Sequence, residues 1–239
     1  MIVVRVLLAA LALLAAGCAT RRVALAPPPP PPQNYFSPET TGAPIRRVAL
    51  LPLFSGSHPD HYLRAIDETF ESELTKKALF EVVRVSRSEL ETLFGRRQVD
   101  STETLPADAL PRLRKQFGVE GVLFTDLTHF SPYRPVAMGV RTKLVDVATG
   151  KIRWAFDYVF DAGNTSIAEA AKRYQLLYSD PRQPVTTDGG SILLSPSRFA
   201  KYVACETYAS LTHDSAAAAP PLASAFREIF PKAPEPARR

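Results

Sequence analysis

Three consecutive strand-like segments in the middle of the chain constrain its fold more than any other feature. Residues 119–130 and 136–147 are rich in β-branched and aromatic side chains, and a proline-containing turn separates them. An Ala-Thr-Gly turn at 148–150 leads to the third segment, residues 151–160. Because connections this short join antiparallel neighbours, the sequence predicts a three-stranded antiparallel meander. The side chains expected on one face of its third strand are Ile152, Trp154, Phe156 and Tyr158.

The part of the chain before the meander alternates between strand and helix patterns. An apolar run at residues 46–54 predicts a buried central strand, and Pro52 is expected near the strand end or at an irregularity because proline cannot donate a ladder hydrogen bond. Ser86 and Glu89 have the spacing of a capping box, which predicts the start of a short helix. The other elements expected here are a helix over residues 60–80, a strand over 80–85, an end to the short helix at Gly95, and a helix over 106–117 that Gly118 stops.

Two further helices are predicted after the meander, at residues 167–177 and 196–211, with a polar loop over 179–190 between them. The element order β-α-β-α-α-β-β-β predicts an α+β domain, with a mixed sheet, helices packed on the sheet, and the C-terminal helices added after it. We expect this domain to span residues 44–213. Residues 214–239 are expected to form a linker, a short helix and a disordered tail.

The first residues have the pattern of an export signal. Arg5 precedes eleven apolar residues at 6–16. That run is well short of the ~20 apolar residues that a membrane-spanning helix needs, so a signal peptide fits better. We therefore predict a signal peptide over residues 1–17.

The end of this signal carries a resemblance to a known processing site. The sequence LAAGC at residues 14–18 resembles the lipobox of bacterial lipoproteins, with alanine at the position where that family prefers leucine. The resemblance implies that Cys18 becomes the mature N-terminus and carries fatty acyl chains, palmitate among them, that anchor the chain to a membrane. Ala19 follows the cysteine, which resembles the sorting pattern for the outer membrane. The alternative is an ordinary secretory signal with an incidental cysteine.

The segment from residue 18 to residue 43 is expected to be a Pro-rich tether. Six consecutive prolines at 27–32 favour an extended polyproline II rod. At ~3.1 Å per residue this tract alone spans roughly 19 Å. The segment either holds a domain away from the membrane or is a tolerated disordered leader. Both interpretations predict no buried core before about residue 44.

The charge distribution gives no sign of a nucleic-acid partner. The chain has 29 Lys and Arg against 24 Asp and Glu, a formal net charge of +5. Its basic residues are scattered rather than clustered, and aromatic residues do not interleave with them. A solvated surface is the simpler interpretation, and we expect no nucleic-acid binding.

The four histidines do not predict a catalytic or metal site. His58 and His61 flank Asp60 and could contribute to a zinc site, but a capped helix start is the simpler interpretation. His129 is expected at a sheet edge, and no site is predicted at His213. We expect no metal and no cofactor.

The remaining reactive side chains also have structural interpretations. Asp126 and Asp146 lie on neighbouring predicted strands and are either paired carboxylates or strand-end caps. Cys205 has helical spacing with aromatic residues, which indicates a buried core thiol, and it has no intrachain disulfide partner once Cys18 is acylated. No glycine-rich phosphate loop is found. We therefore expect no enzyme activity.

Three segments together carry a resemblance to a family. They are the opening strand at 48–54, the segment FGVEGVLF at 117–124, and the hairpin LVDVATGKIRW at 144–154. They resemble the periplasmic domain shared by the curli-secretion channel lipoprotein and the lipoprotein activators of penicillin-binding proteins, and the N-terminal domain of the Tol-system propeller protein. Residues 161–197 lack the long alternating strands of membrane hairpins, so a pore is not expected.

The resemblance implies a non-enzymatic adaptor or regulator that binds another cell-envelope protein, in envelope biogenesis, peptidoglycan synthesis or a secretion assembly, with homo-oligomerisation as an open question. An exposed aromatic patch near Tyr133, Phe156 or Phe160 is the predicted partner site. The alternative is a lipoprotein that binds a small ligand or a glycan. A deep pocket with convergent polar groups would favour that alternative.

Overall fold

The structure is a computed structural model that describes residues 35–36, 44–56, 58, 60–178 and 189–211. The strands of the described part are β1 (Tyr35–Phe36), β2 (Arg47–Leu50), β3 (Glu81–Arg84), β4 (Gly121–Ser131), β5 (Ala137–Asp146) and β6 (Ile152–Asp161). Its α-helices are α1 (Asp60–Lys76), α2 (Arg87–Phe94), α3 (Ala109–Phe117), α4 (Thr165–Tyr178) and α5 (Pro196–Thr207). Short 3₁₀ helices cover Gly190–Leu194 and Tyr208–Ser210.

These strands form one mixed sheet in the order β1-β6-β5-β4-β2-β3. Strand β2 pairs in parallel with both β3 and β4, because α1 connects β2 to β3, and α2 and α3 connect β3 to β4. Strands β4, β5 and β6 pair in antiparallel fashion through short turns. The predicted α+β class, the meander and the C-terminal helices are confirmed, and the predicted element order β-α-β-α-α-β-β-β is found from β2 to β6.

The predicted start and stop signals of α2 and α3 act as expected. The Ser86 side chain accepts a hydrogen bond from the Glu89 backbone N–H at 3.2 Å, and the Glu89 carboxylate accepts one from the Ser86 N–H at 2.7 Å. Gly95 and Gly118 follow the two helices with φ of 69° and 64°, the left-handed conformation that favours glycine. Helix α3 begins at Ala109, three residues after the predicted start at residue 106.

Pro52 lies where the regular ladder of β2 has ended. Strand β2 stops at Leu50, and pairing with β4 resumes at Phe54, whose N–H donates to the Thr125 carbonyl at 2.9 Å. The missing N–H of Pro52 therefore falls in an irregular stretch between two points of attachment. The predicted position of this proline is confirmed.

Helices cover the two faces of the sheet unequally. On one face, α1, α4 and α5 pack against β2, β4, β5 and β6 and form the larger core, which includes Phe70, Trp154 and Phe199. On the other face, α2 and α3 pack against β2 and β4 and form a smaller core around Leu90 and Phe124. The second face of β5 and β6 is consequently left partly exposed.

The sheet begins before residue 44, where the sequence analysis places the domain boundary. Tyr35 and Phe36 form β1 and pair with Phe156 and Ala155 of β6. Part of the predicted tether is therefore a sheet strand. The predicted signal peptide, the rest of the tether, most of the polar loop at 179–190 and residues 214–239 lie outside the described residues.

One of the side chains predicted to share a face of β6, Ile152, does not lie in the core. Trp154 and Phe156 are buried, whereas Ile152 is 39% exposed. The register between β5 and β6 shifts between Leu144 and Val145, so Ile152 lies at the strand start beyond this irregularity. Among the described helices, none combines the length and the apolar character needed to cross a bilayer.

Candidate functional site

The turn between β4 and β5 contains the most exposed aromatic side chain of the described residues. We call residues 131–135 (SPYRP) the hairpin tip. Tyr133 is 80% exposed there, and Pro132, Arg134 and Pro135 are exposed beside it. The Ser131 hydroxyl donates a hydrogen bond to the Tyr133 carbonyl at 3.4 Å. The structure thus places one predicted partner-binding residue, Tyr133, where another protein can reach it.

Phe156 and Phe160 lie in the core, so the predicted exposed patch is wrong for both residues. They are 2% and 1% exposed. Their rings stack on each other with centroids 6.3 Å apart, and the Phe160 ring meets the Tyr202 ring of α5 edge-on at 5.7 Å. The alternation of β6 showed that these side chains share a face, but only the packing of α5 shows that this face is covered.

The open face of the meander carries a row of charged residues. Asp126, Arg141 and Asp157 lie directly opposite one another on β4, β5 and β6. The Arg141 Nε donates to the Asp157 carboxylate at 2.8 Å, and this bond is the main reason that the pKa of Arg141 is raised. Val159, 49% exposed on β6, is paired with Gly139 on β5. The face therefore combines charge with isolated apolar surface.

Asp126 and Asp146 are not paired carboxylates. Asp126 lies opposite Arg141 in the middle of the β4–β5 ladder, whereas Asp146 lies opposite Gly121 at one end of it. Asp146 accepts hydrogen bonds from the N–H groups of Ala148 and Thr149 at 2.9 and 3.0 Å, so it caps the turn as the simpler interpretation predicts.

Asp126 is 3% exposed, and its carboxylate accepts hydrogen bonds within the fold. It accepts hydrogen bonds from both the backbone and the hydroxyl of Ser101. Desolvation raises the pKa of this carboxyl in spite of those bonds. The carboxyl lies within the fold, where its bonds to Ser101 hold the loop before α3 against β4.

The described histidines have structural neighbours. The His58 Nδ1 lies 3.0 Å from the Ser55 hydroxyl, and its ring meets the Phe130 ring edge-on at 5.5 Å. His129 lies in the part of β4 that extends past the end of β2, in accord with its predicted place at a sheet edge. The His61 side chain and His213 are outside the described residues. Within the described ranges, no group of three His, Cys, Asp or Glu side chains is arranged to hold a metal.

Cys205 packs partly buried against the larger core, close to its predicted environment. Burial is the main cause that raises the pKa of its thiol to about 12. The thiol is therefore protonated at neutral pH, and the reactive thiolate is scarce.

A cavity of about 250 Å³ lies at the carboxyl ends of β2 and β3, between α1 and the start of α2. The apolar part of its lining includes residues 50–53 and Phe70. Its walls carry four arginines, so we call it the arginine cavity. They are Arg64, Arg84, Arg87 and Arg97.

Two acidic residues, Asp67 and Glu71, share these walls. Asp67 Oδ2 lies 2.6 Å from Arg87 Nη2, and its Oδ1 accepts a hydrogen bond from the Leu53 N–H at 2.7 Å. Glu71 lies 3.1 Å from Arg84. Desolvation raises the pKa of the Asp67 carboxyl, although Leu53 and Arg87 favour its charged form. Sequence reasoning missed this cavity because its arginines belong to four successive segments of the chain, which only the fold brings together.

Comparison with known proteins finds only limited structural similarity between this chain and solved structures. No protein-family model matches the chain, and no curated protein matches its sequence. Among solved structures, lipoprotein GNA1162 from Neisseria meningitidis is 18% identical with a TM-score of 0.37, and the match covers 56% of this chain and 97% of that one.

Two further structures show similarity of the same order. A dodecamer of a PelC variant from Paraburkholderia phytofirmans is 15% identical with a TM-score of 0.38, covering 72% of this chain and 95% of the PelC chain. The LpoB C-terminal domain from Escherichia coli is 17% identical with a TM-score of 0.33, covering 50% and 86%. These values are too low to assign a family, a partner or an assembly to this chain.

Proposed function

We propose that the protein is an outer-membrane-anchored lipoprotein that acts as a non-enzymatic adaptor and binds another cell-envelope protein through the hairpin tip. The observation that carries this proposal is the 80% exposure of Tyr133 at the end of the long β4–β5 hairpin. Tyrosine and arginine are enriched among residues that dominate binding energy at protein interfaces, and Tyr133 and Arg134 are adjacent here.

The neighbours of Tyr133 suit it to binding. Pro132 and Pro135 restrict the backbone on either side, so ordering the hairpin tip in a complex costs little conformational entropy. Val159 and the Arg141–Asp157 pair on the adjoining open face add apolar and charged surface. A mixed surface with an aromatic centre is typical of interfaces between proteins that also exist apart.

The anchoring half of the proposal rests on the LAAGC sequence that ends at Cys18. Metabolic labelling with a palmitate analogue tests it in whole cells. We expect label on the wild-type protein in the outer-membrane fraction and none on Cys18→Ala. Equal labelling of both proteins, or wild-type protein free of label, would contradict the lipoprotein assignment.

The adaptor half is tested by site-specific photo-crosslinking in intact cells. A photoreactive amino acid replaces Tyr133 in one variant and Lys115, which is exposed on α3, in a matched control. We expect one discrete adduct of higher mass from position 133 and none from position 115. The same adduct from both positions, or adducts with many proteins from position 133, would rule out a specific contact at the hairpin tip.

A second candidate function has one observation in its favour. The alternative of a small-ligand-binding lipoprotein calls for a pocket with convergent polar groups, and the arginine cavity has that character. An adaptor and a ligand site can coexist in one domain, since the hairpin tip and the cavity are formed by different elements.

A further inference from the structure

We propose that the arginine cavity is a binding site for a phosphate group, either free phosphate or the phosphate monoester of a lipid headgroup. The inference does not depend on the adaptor proposal, because it rests on α1, α2 and the ends of β2 and β3 rather than on the hairpin tip. The charges, the ion-pair geometry and the size of the cavity support it.

The cavity has a surplus of positive charge. Four arginines line it against two acids, Asp67 and Glu71, and a third acid, Glu91, pairs with Arg97 from outside the cavity, which leaves an excess of one positive charge. Each acid is already engaged: Asp67 with Arg87 at 2.6 Å, and Glu71 with Arg84 at 3.1 Å. An anion such as phosphate would be attracted by this excess, whereas a cation would be repelled.

Arg64 and Arg97 line the cavity from exposed positions. Arg97 pairs with Glu91 outside the cavity at 2.9 Å, and since both side chains are about half exposed this pair is screened by solvent. Arg64 makes no ion pair with any of the residues that the structure describes. Because Arg64 lies at the surface, its guanidinium group can turn toward a ligand at little cost, and Arg97 adds its charge to the lining.

Arg87 supplies a fixed part of the wall. Its Nη2 is bound to Asp67, and its Nη1 donates to the Leu53 carbonyl at 3.2 Å. Its side chain is 11% exposed. Because these contacts hold Arg87 and Asp67 in place, the cavity is formed before a ligand enters it, which lowers the entropy lost on binding.

The attraction for an anion comes from the arginines rather than from the start of α2. The capping box already places the Glu89 carboxylate there, with its pKa lowered mainly by the hydrogen bonds from Ser86. Guanidinium groups bind phosphate through two parallel N–H donors, which adds geometric selectivity to the charge. A cavity of about 250 Å³ admits one such group and a small substituent.

Isothermal titration calorimetry tests the proposal on the full-length chain in non-ionic detergent micelles. Inorganic phosphate is the first probe, with acetate at the same ionic strength as the comparison. Micelles doped with phosphatidic acid are the second probe, with phosphatidylcholine-doped micelles as their control. The variants are Arg64→Gln and Arg97→Gln, both at exposed positions, and Arg114→Gln on α3 is the matched control.

We expect saturable binding of phosphate that is stronger than the binding of acetate. Arg64→Gln or Arg97→Gln should lower the affinity for phosphate about tenfold, and Arg114→Gln should leave it unchanged. Binding of phosphatidic acid alone, with the same dependence on Arg64, would support the site and identify the source as a lipid headgroup. No saturable binding of either phosphate source would overturn the proposal. So would equal binding of acetate, or an equal loss with Arg114→Gln.

Discussion

Asp67 and Arg87 form a buried ion pair, with 2.6 Å between Oδ2 and Nη2, that joins the middle of α1 to the first residue of α2. The other oxygen of Asp67 binds the Leu53 N–H just after β2. A single carboxylate therefore holds together a helix, a strand end and the start of a second helix, all of which line the arginine cavity.

Replacing Asp67 by asparagine keeps its size but removes the negative charge that faces the largely buried Arg87 guanidinium. We expect the free energy of unfolding to fall by about 3 kcal/mol, as is typical when one partner of a buried pair is removed. Urea denaturation measures this loss. The matched control is Glu91→Gln, which removes the exposed Glu91–Arg97 pair and should cost at most about 1 kcal/mol. Similar losses for the two variants would contradict the structural role of the buried pair.

The capping box of α2 gives a second stability prediction. Ser86→Ala removes the hydroxyl that accepts from the Glu89 N–H, so we expect a loss of about 1 kcal/mol in chemical denaturation. Ser72→Ala, at an exposed position inside α1, serves as control and should not destabilise the protein, because alanine is the better helix former. Unchanged stability of the Ser86→Ala protein would show that the cap is not formed.

Glu206 near the end of α5 gives a pH prediction. Desolvation raises the pKa of its carboxyl to about 7 in the folded protein, although Lys77 acts in the opposite direction. The folded state therefore holds a proton that the unfolded state releases above its ordinary pKa of 4.5. The stabilisation from this group is complete below that pKa and is lost as the pH rises through about 7.

This pH dependence is measured as the difference in unfolding free energy between wild type and Glu206→Gln. We expect wild type to lose on the order of 2 kcal/mol relative to the variant between about pH 5 and pH 8. Because other titrating groups are common to both proteins, the difference isolates Glu206. A difference that does not change with pH would mean that the carboxyl is not desolvated.

Truncation to alanine should lower the stability of the protein at Phe160 but leave it nearly unchanged at Tyr133. Phe160→Ala empties a core position between Phe156 and Tyr202, and we expect a loss of about 3 to 5 kcal/mol in thermal or chemical unfolding. Tyr133→Ala removes a side chain that is 80% exposed and should leave stability within about 0.5 kcal/mol of wild type. A large stability loss in the Tyr133→Ala protein would show that this residue is part of the folded core rather than a free contact surface.

Local signals in the sequence were sufficient for the order and type of the elements. The capping box at Ser86, the glycines at 95 and 118, and the short turns of the meander each have one dominant structural outcome, and the structure shows it. The ends of helices differ from the prediction where the sequence carries only a weak stop signal. Helix α1 ends at Lys76 rather than at residue 80, because the chain turns at Ala78 with φ of 51°.

What could not be predicted depends on contacts between distant parts of the chain. The covered face of β6 is decided by α5, so Phe156 and Phe160 could not be assigned to the core from their alternation alone. The edge pairing of β1 involves two residues beside a proline tract, too few to leave a pattern. The arginine cavity depends on parallel strands that bring residues 64, 84, 87 and 97 to one sheet end.

The most direct test of the adaptor proposal is quantitative pull-down of the full-length lipidated protein from native membranes after mild crosslinking. Wild type is compared with Tyr133→Ala and with the matched surface variant Lys115→Ala. We predict that one envelope protein copurifies with wild type in fixed stoichiometry, that Tyr133→Ala loses it, and that Lys115→Ala retains it. Recovery of the same protein with all three variants, or of no envelope protein with wild type, would contradict the proposal that the hairpin tip binds a partner.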